Sequence, residues 1–146
     1  MRIIFLILIG ISILNSFALI RFNRVNGAIS DRNSKLEWQD DYSDNNNIEK
    51  QTTWRNSIDY CENLTLNTKN DWRLPNITEL ISLVDESLYN PVVYSIFEHI
   101  TPNNYWSSTS NANLYDSSKI ISFQNGTTTS HSKSYTNYVM CVRTQE

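Results

Sequence analysis

The stretch DWRLPNITELISLVD, residues 71–85, limits the fold sharply because it fixes a helix start and the direction of arrival at it. Asn76 is a strong N-cap residue and Glu79 stands three positions on, the spacing of a capping box. Ile77, Leu80, Ile81 and Val84 follow at helical spacing and predict the buried stripe. Pro75 has a fixed φ and disfavours the helical region for Leu74, so the chain must reach the cap extended. Along that extended lead-in Trp72 and Leu74 alternate with Arg73, which places the two apolar groups inward together. Arg73 then faces the other way or is held by an acid, and the sequence leaves both open.

A second helix is predicted upstream in TTWRNSIDYCENL, where Trp54, Ile58, Cys61 and Leu64 form one stripe with Thr52 or Thr53 as N-cap. Its spacing turns Cys61 into the core. Strand-like runs gather at the two ends of the chain. Asn26-Gly27 and the polar run Asp31–Ser34 separate short strands near the start. YWSSTS, KIISFQ and YVMCVR follow in the second half, with Asn125-Gly126 as a hairpin turn. Between them a short helix is expected around Val92–Ile100, and residues 40–47 read as a solvated polar loop. Helices in the first half with strands at both ends predict an α+β fold in which the terminal strands meet. Trp72, Leu74, Trp106 and Phe123 are expected in the core, with Ile81 and Val84 beside them.

The first residues differ in kind. MRIIFLILIGISILNSFA carries one basic residue, an apolar run from Ile3 to Leu14, and Ser16 and Ala18 at the −3 and −1 positions of a signal peptidase site. Cleavage after Ala18 is the expectation, leaving one domain over residues 19–146 and no stable membrane span; the alternative is an uncleaved anchor reaching Arg21. Leu19 in place of a cysteine argues against a lipoprotein. Losing Arg2 changes 12 basic and 15 acidic residues to 11 and 15, so a net charge of −3 becomes −4. The basic residues form no run or stripe, which argues against nucleic acid as a partner. In an exported chain the pair Cys61 and Cys141 reads as a structural disulfide.

Groups for catalysis are scarce. His99 and His131 have no metal-ligand spacing and read as exposed loop residues without partners. An EF-hand register from Asp40 fails at Tyr42 and at Gln51. Asp59 and Glu62 lie off the apolar stripe and should be solvated. No G-x-S-x-G elbow occurs. No catalytic residue, metal or cofactor is therefore expected. Tyrosine and asparagine crowd the second half (Tyr105, Tyr115, Tyr135, Tyr138, Asn111, Asn137), a composition suited to adaptable stacking and hydrogen bonding.

TWRNSIDYCENL, DWRLPNITELISLVD, YWSSTS and YVMCVR, in this order and spacing, resemble the Lcl C-terminal domain family. These are exported bacterial modules related to C-type-lectin-like and formylglycine-generating-enzyme folds, and the likeness runs from about Arg21 to Arg143. It implies a C-type-lectin-like mixed module with two helices, a small antiparallel sheet and long loops. It further implies a disulfide tying the first helix (Cys61) to the last strand (Cys141). The Glu-Pro-Asn, Gln-Pro-Asp and Trp-Asn-Asp signatures of calcium-dependent lectins are absent. Some family members are linked with adhesion to polysaccharides, which points by analogy to a non-catalytic binding module for carbohydrate or a cell-surface protein. Its ligand would be met by the loops 85–104 and 111–118, through Asn104, Tyr105 and Tyr115. A diverged formylglycine-generating-like enzyme and a structural envelope protein without a small ligand are the alternatives.

Overall fold

Asn26 and Gly27 fold the chain back with φ of 48° and 80°, the left-handed pair that a two-residue hairpin turn requires. The computed structural model describes residues 21–146, so the expected leader and the expected cleavage after Ala18 lie outside the described residues. On either side of that turn run β1 (Phe22–Val25) and β2 (Ala28–Asp31), paired Val25 to Ala28. The next turn is closed by Asp31, whose carboxylate accepts the Asn33 N–H at 2.9 Å and the Ser34 hydroxyl at 2.8 Å. It delivers β3 (Leu36–Gln39), which pairs with the last strand, β9 (Val142–Thr144). The terminal strands thus meet in a sheet of order β1-β2-β3-β9.

A second sheet holds β4 (Gln51–Thr52), β5 (Asn104–Ser110), β6 (Ser117–Ser122), β7 (Thr128–Ser132) and β8 (Asn137–Tyr138), in the order β4-β8-β5-β6-β7. All pairs in it are antiparallel except β5 with β8, joined in parallel through Tyr105 and Tyr138. With α1 (Trp54–Glu62) and α2 (Ile77–Ile81), these two sheets make the α+β mixed fold, with more strand than one small sheet. Apolar clusters form on both faces of the second sheet. Tyr105, Ile121 and Phe123 join Leu80, Leu83 and Trp38 in one; Trp106 and Ile120 join Leu64, Trp72, Leu74 and Cys61 in the other. Cys61 of α1 is bonded to Cys141, both fully buried. Gln39 brackets the bond, taking the Cys141 N–H on its side chain at 3.2 Å while its own N–H reaches the Cys141 carbonyl at 2.9 Å.

The lead-in to α2 is extended, as Pro75 demands, and it pairs: Arg73 and Val142 exchange backbone hydrogen bonds, each 2.9 Å. Trp72 and Leu74 are buried on one side. On the other, the Arg73 guanidinium grips the Glu79 carboxylate at 2.8 and 2.7 Å. The two options open for Arg73 are therefore both realised. Asn76 and Glu79 complete the capping box.

Three expectations need correction. The second helix has only 5 residues, and Ile81, placed in the core by spacing, is 45% exposed. Beyond it Leu83 bonds Leu80 and Val84 bonds Ile81, i to i+3, which tightens the turn to about three residues and swings Leu83 into the core instead. Val84 is half-buried against the same cluster. Residues 92–100 form no helix, because Val92 donates to the Phe123 carbonyl and accepts from Asp85, while Val93 bridges Val84 in strand fashion. Finally, the loop 40–47 is not solvated throughout: Asp40 and Tyr42 are buried. The Asp40 carboxylate accepts the Glu98 and His99 N–H groups, both at 2.9 Å, and pairs with Arg24. Burial pushes that carboxyl above its usual range, and these donors only partly offset it.

Candidate functional site

The residues selected from sequence do not converge. Asn104 begins β5, half-buried and paired with Ser122. Tyr105, next in the strand, points to the opposite face and is fully buried, stacked 5.5 Å from Tyr138 and tilted against Phe123 at 5.0 Å. Its hydroxyl oxygen accepts the Thr101 N–H at 3.0 Å, and burial pushes the hydroxyl well up, so it stays protonated. As a contact for a ligand Tyr105 is corrected: it is a core residue. Tyr115 is 90% exposed in the β5–β6 connection. That connection leaves the far end of β5, and six residue steps of strand separate the two ends by about 20 Å. Asn104 and Tyr115 therefore cannot share one small ligand.

Around Tyr115 the structure assembles something the sequence did not announce. Lys133, just past β7, is its hub. The Lys133 N–H donates to the Asp116 carbonyl at 2.6 Å, and its carbonyl accepts the Trp54 N–H at 3.2 Å. Its ammonium donates to the Tyr115 carbonyl at 2.9 Å and lies 4.2 Å above the Trp54 ring. The Trp54 indole is itself fixed, donating to the Ser107 carbonyl at 2.9 Å. Three segments distant in sequence are thereby held together: the start of α1, the β5–β6 connection and the β7–β8 turn. They present Tyr115, Leu114 (57% exposed) and Tyr135 (61% exposed) to solvent.

His131 continues this surface inward. It lies on β7 rather than in a loop, edge-on to Tyr135 at 5.9 Å and to Trp106 at 6.4 Å. Its Nδ1 sits 3.1 Å from Asn137 Oδ1, while the buried Asn137 Nδ2 has no hydrogen-bond partner. His99 likewise has a partner, its Nδ1 lying 2.9 Å from the Asp40 carbonyl. Both histidines are half-buried, so the expectation of exposed, partnerless residues is corrected. Helical spacing shows Trp54 only as part of a core stripe, and the sequence gives Lys133 no weight. Tyr115, in the loop 111–118, and the tyrosine-rich composition that includes Tyr135 are the sequence signals of this surface.

A separate shallow groove of about 410 Å³ lies beside the end of α1, lined by Asp44, Asp59, Tyr60, Asn63, Leu64 and Thr65. Within it the Tyr60 hydroxyl accepts from Gln39 at 2.8 Å and donates to Asp44 at 3.3 Å. Burial pushes this hydroxyl up too, keeping it a donor. Asp59 and Glu62 are exposed as expected. Among the described residues no cluster of three or more His, Cys, Asp or Glu is placed to hold a metal, and no helix is long and apolar enough to cross a membrane.

Large exposed rings set among hydroxyl and amide groups can stack on the apolar face of a sugar while hydrogen-bonding its rim. None of the curated proteins compared with the chain matches it. The family model of the Lcl C-terminal domain does, over residues 27–143, a span that starts at Gly27 and takes in both cysteines and the whole Lys133 surface. The chain belongs to the Lcl C-terminal domain family.

Proposed function

We propose that the protein is an exported, non-catalytic binding module that takes a polysaccharide or cell-surface glycan at the Lys133 surface. The observation that carries this reading is the convergence of three segments on Lys133, which holds the Tyr115 carbonyl beside the exposed rings of Tyr115 and Tyr135. Rigid aromatic groups give contact area at small entropic cost, and the neighbouring Ser132, Ser134 and Asn111 offer hydrogen bonds. Both cysteine sulfurs are committed to a buried disulfide, which leaves neither as a thiolate nucleophile. Export rests on the apolar leader ending at Ala18 and on that disulfide, which forms in oxidising compartments.

The test is a glycan array probed with the mature chain, with and without calcium, followed by Tyr115→Ala/Tyr135→Ala. Binding lost in the double variant at unchanged melting temperature supports the reading. Binding that persists there but disappears in Asn63→Ala moves the site to the groove beside α1. N-terminal sequencing of the exported protein should begin at Leu19.

A further inference from the structure

The chain contains two Asn-Gly pairs, both in turns, and the structure treats them differently. At Asn125-Gly126 the Gly126 N–H donates to the Ser122 carbonyl at 2.7 Å. The Asn125 side-chain oxygen is held as well, by the Thr127 N–H at 3.2 Å and the Thr127 hydroxyl at 2.8 Å. At Asn26-Gly27 the Gly27 N–H has no partner among the described residues, and Asn26 is exposed. Its amide has one tie, Nδ2 donating to Asn67 Oδ1 at 3.1 Å.

We infer that Asn26 is a site of spontaneous conversion to aspartate and isoaspartate, and that Asn125, of the same dipeptide, is protected by its turn. The step is an attack by the deprotonated Gly27 nitrogen on the Asn26 side-chain carbonyl carbon. A C–N bond forms, the bond to Nδ2 breaks, and ammonia leaves, giving a five-membered imide. Water then opens either C–N bond of that ring and yields the acid in its normal or iso form. A glycine nitrogen meets no side chain on this path. An N–H held against a carbonyl oxygen, as at Gly126, loses its proton less readily than one facing water.

The fold cannot avoid the reactive pair. Gly27 has φ +80°, and a Cβ there would stand 2.4 Å from the Asp41 Cβ, so both conformation and space demand glycine. Asn26, at φ 48°, occupies the left-handed region that asparagine tolerates better than most residues. Conversion removes the nitrogen that ties the hairpin to Asn67. It also adds a carboxylate to the turn, and the iso form adds a backbone carbon to the β1–β2 connection.

The experiment incubates the purified mature chain in mildly alkaline buffer and maps both peptides by mass spectrometry over time. Residue 26 should convert several-fold faster than residue 125, yielding two chromatographically distinct acid products. Equal rates, or faster conversion at 125, overturn the inference. The same incubation in urea must bring the two rates together; a difference that survives unfolding shows that neighbouring sequence, not the turn, sets it.

Discussion

Arg73 and Glu79 are joined by a two-bond fork across the mouth of α2, and the same carboxylate takes the Asn76 N–H at 2.8 Å. Burial pushes Glu79 up, but the Arg73 guanidinium and the Asn76 N–H outweigh it and hold the carboxyl below its usual range. A carboxyl depressed by folding stabilises above its unfolded pKa of about 4.3, and the contribution is lost as pH falls through the lower folded value. Glu79→Gln should therefore cost about 1–3 kcal/mol at pH 7. The gap to wild type should close in strongly acidic buffer. Urea denaturation at the two pH values checks both statements, and a gap independent of pH refutes them.

Cys61 and Cys141 close a loop with a sequence separation of 80. Loss of a loop constraint of that size costs about 4–5 kcal/mol in the chain-entropy account. Cys141→Ser should lower the denaturant midpoint accordingly. Intact mass before reduction should be lighter by two hydrogens than after it; equal masses would show that the bond is absent from the protein in solution.

Trp106 is fully buried and its indole donates to the Thr52 carbonyl at 2.9 Å. Trp106→Ala empties the centre of one apolar cluster and removes that bond, for a loss of about 3–5 kcal/mol. Wild-type stability in this variant would contradict the placement of β5 between two cores.

Tyr105 and Tyr115 offer a sharper contrast. Tyr115→Ala should change stability by no more than about 0.5 kcal/mol, as for other exposed positions, while Tyr105→Ala should cost several times more. Any ligand of the Lys133 surface should be weakened by the first change at unchanged melting temperature. Comparable melting temperatures for the two variants would place Tyr105 outside the core.

Local chemistry was legible, and what depends on distant neighbours was not. The capping box, the α1 stripe and the Asn-Gly turns are written in spacings of a few residues, and each is where the residues place it. Tyr105 was misread because adjacent residues of a strand face opposite ways, and only one face is ordinarily buried. Here clusters cover both faces, so Tyr105 and Trp106 are both internal. Ile81 failed for a different reason: a tightened last turn replaced the helical period and brought in Leu83. β7 escaped notice because Thr128–Ser132 has no apolar residue to show a period. Lys133 carries no signal at all, since its value lies in meeting Trp54 and Tyr115 from elsewhere in the chain.

The last segment supplies β8, an inner strand of one sheet, then the Cys141 half of the crosslink, then β9, which closes the other sheet and pairs with Arg73. Folding is consequently tied to the direction of synthesis. A chain emerging from a ribosome or translocon, with residues after Thr136 still inside, has neither sheet complete and Cys61 without its mate. It holds the first hairpin, both helices and the β5-β6-β7 strands, but β3 lacks β9, β5 lacks β8, and Val139, Met140, Cys141 and Val142 are missing from the two cores. Availability of residues 137–146 is what completes both sheets and the crosslink, so a variant lacking them should melt well below the full chain; equal melting temperatures would contradict this.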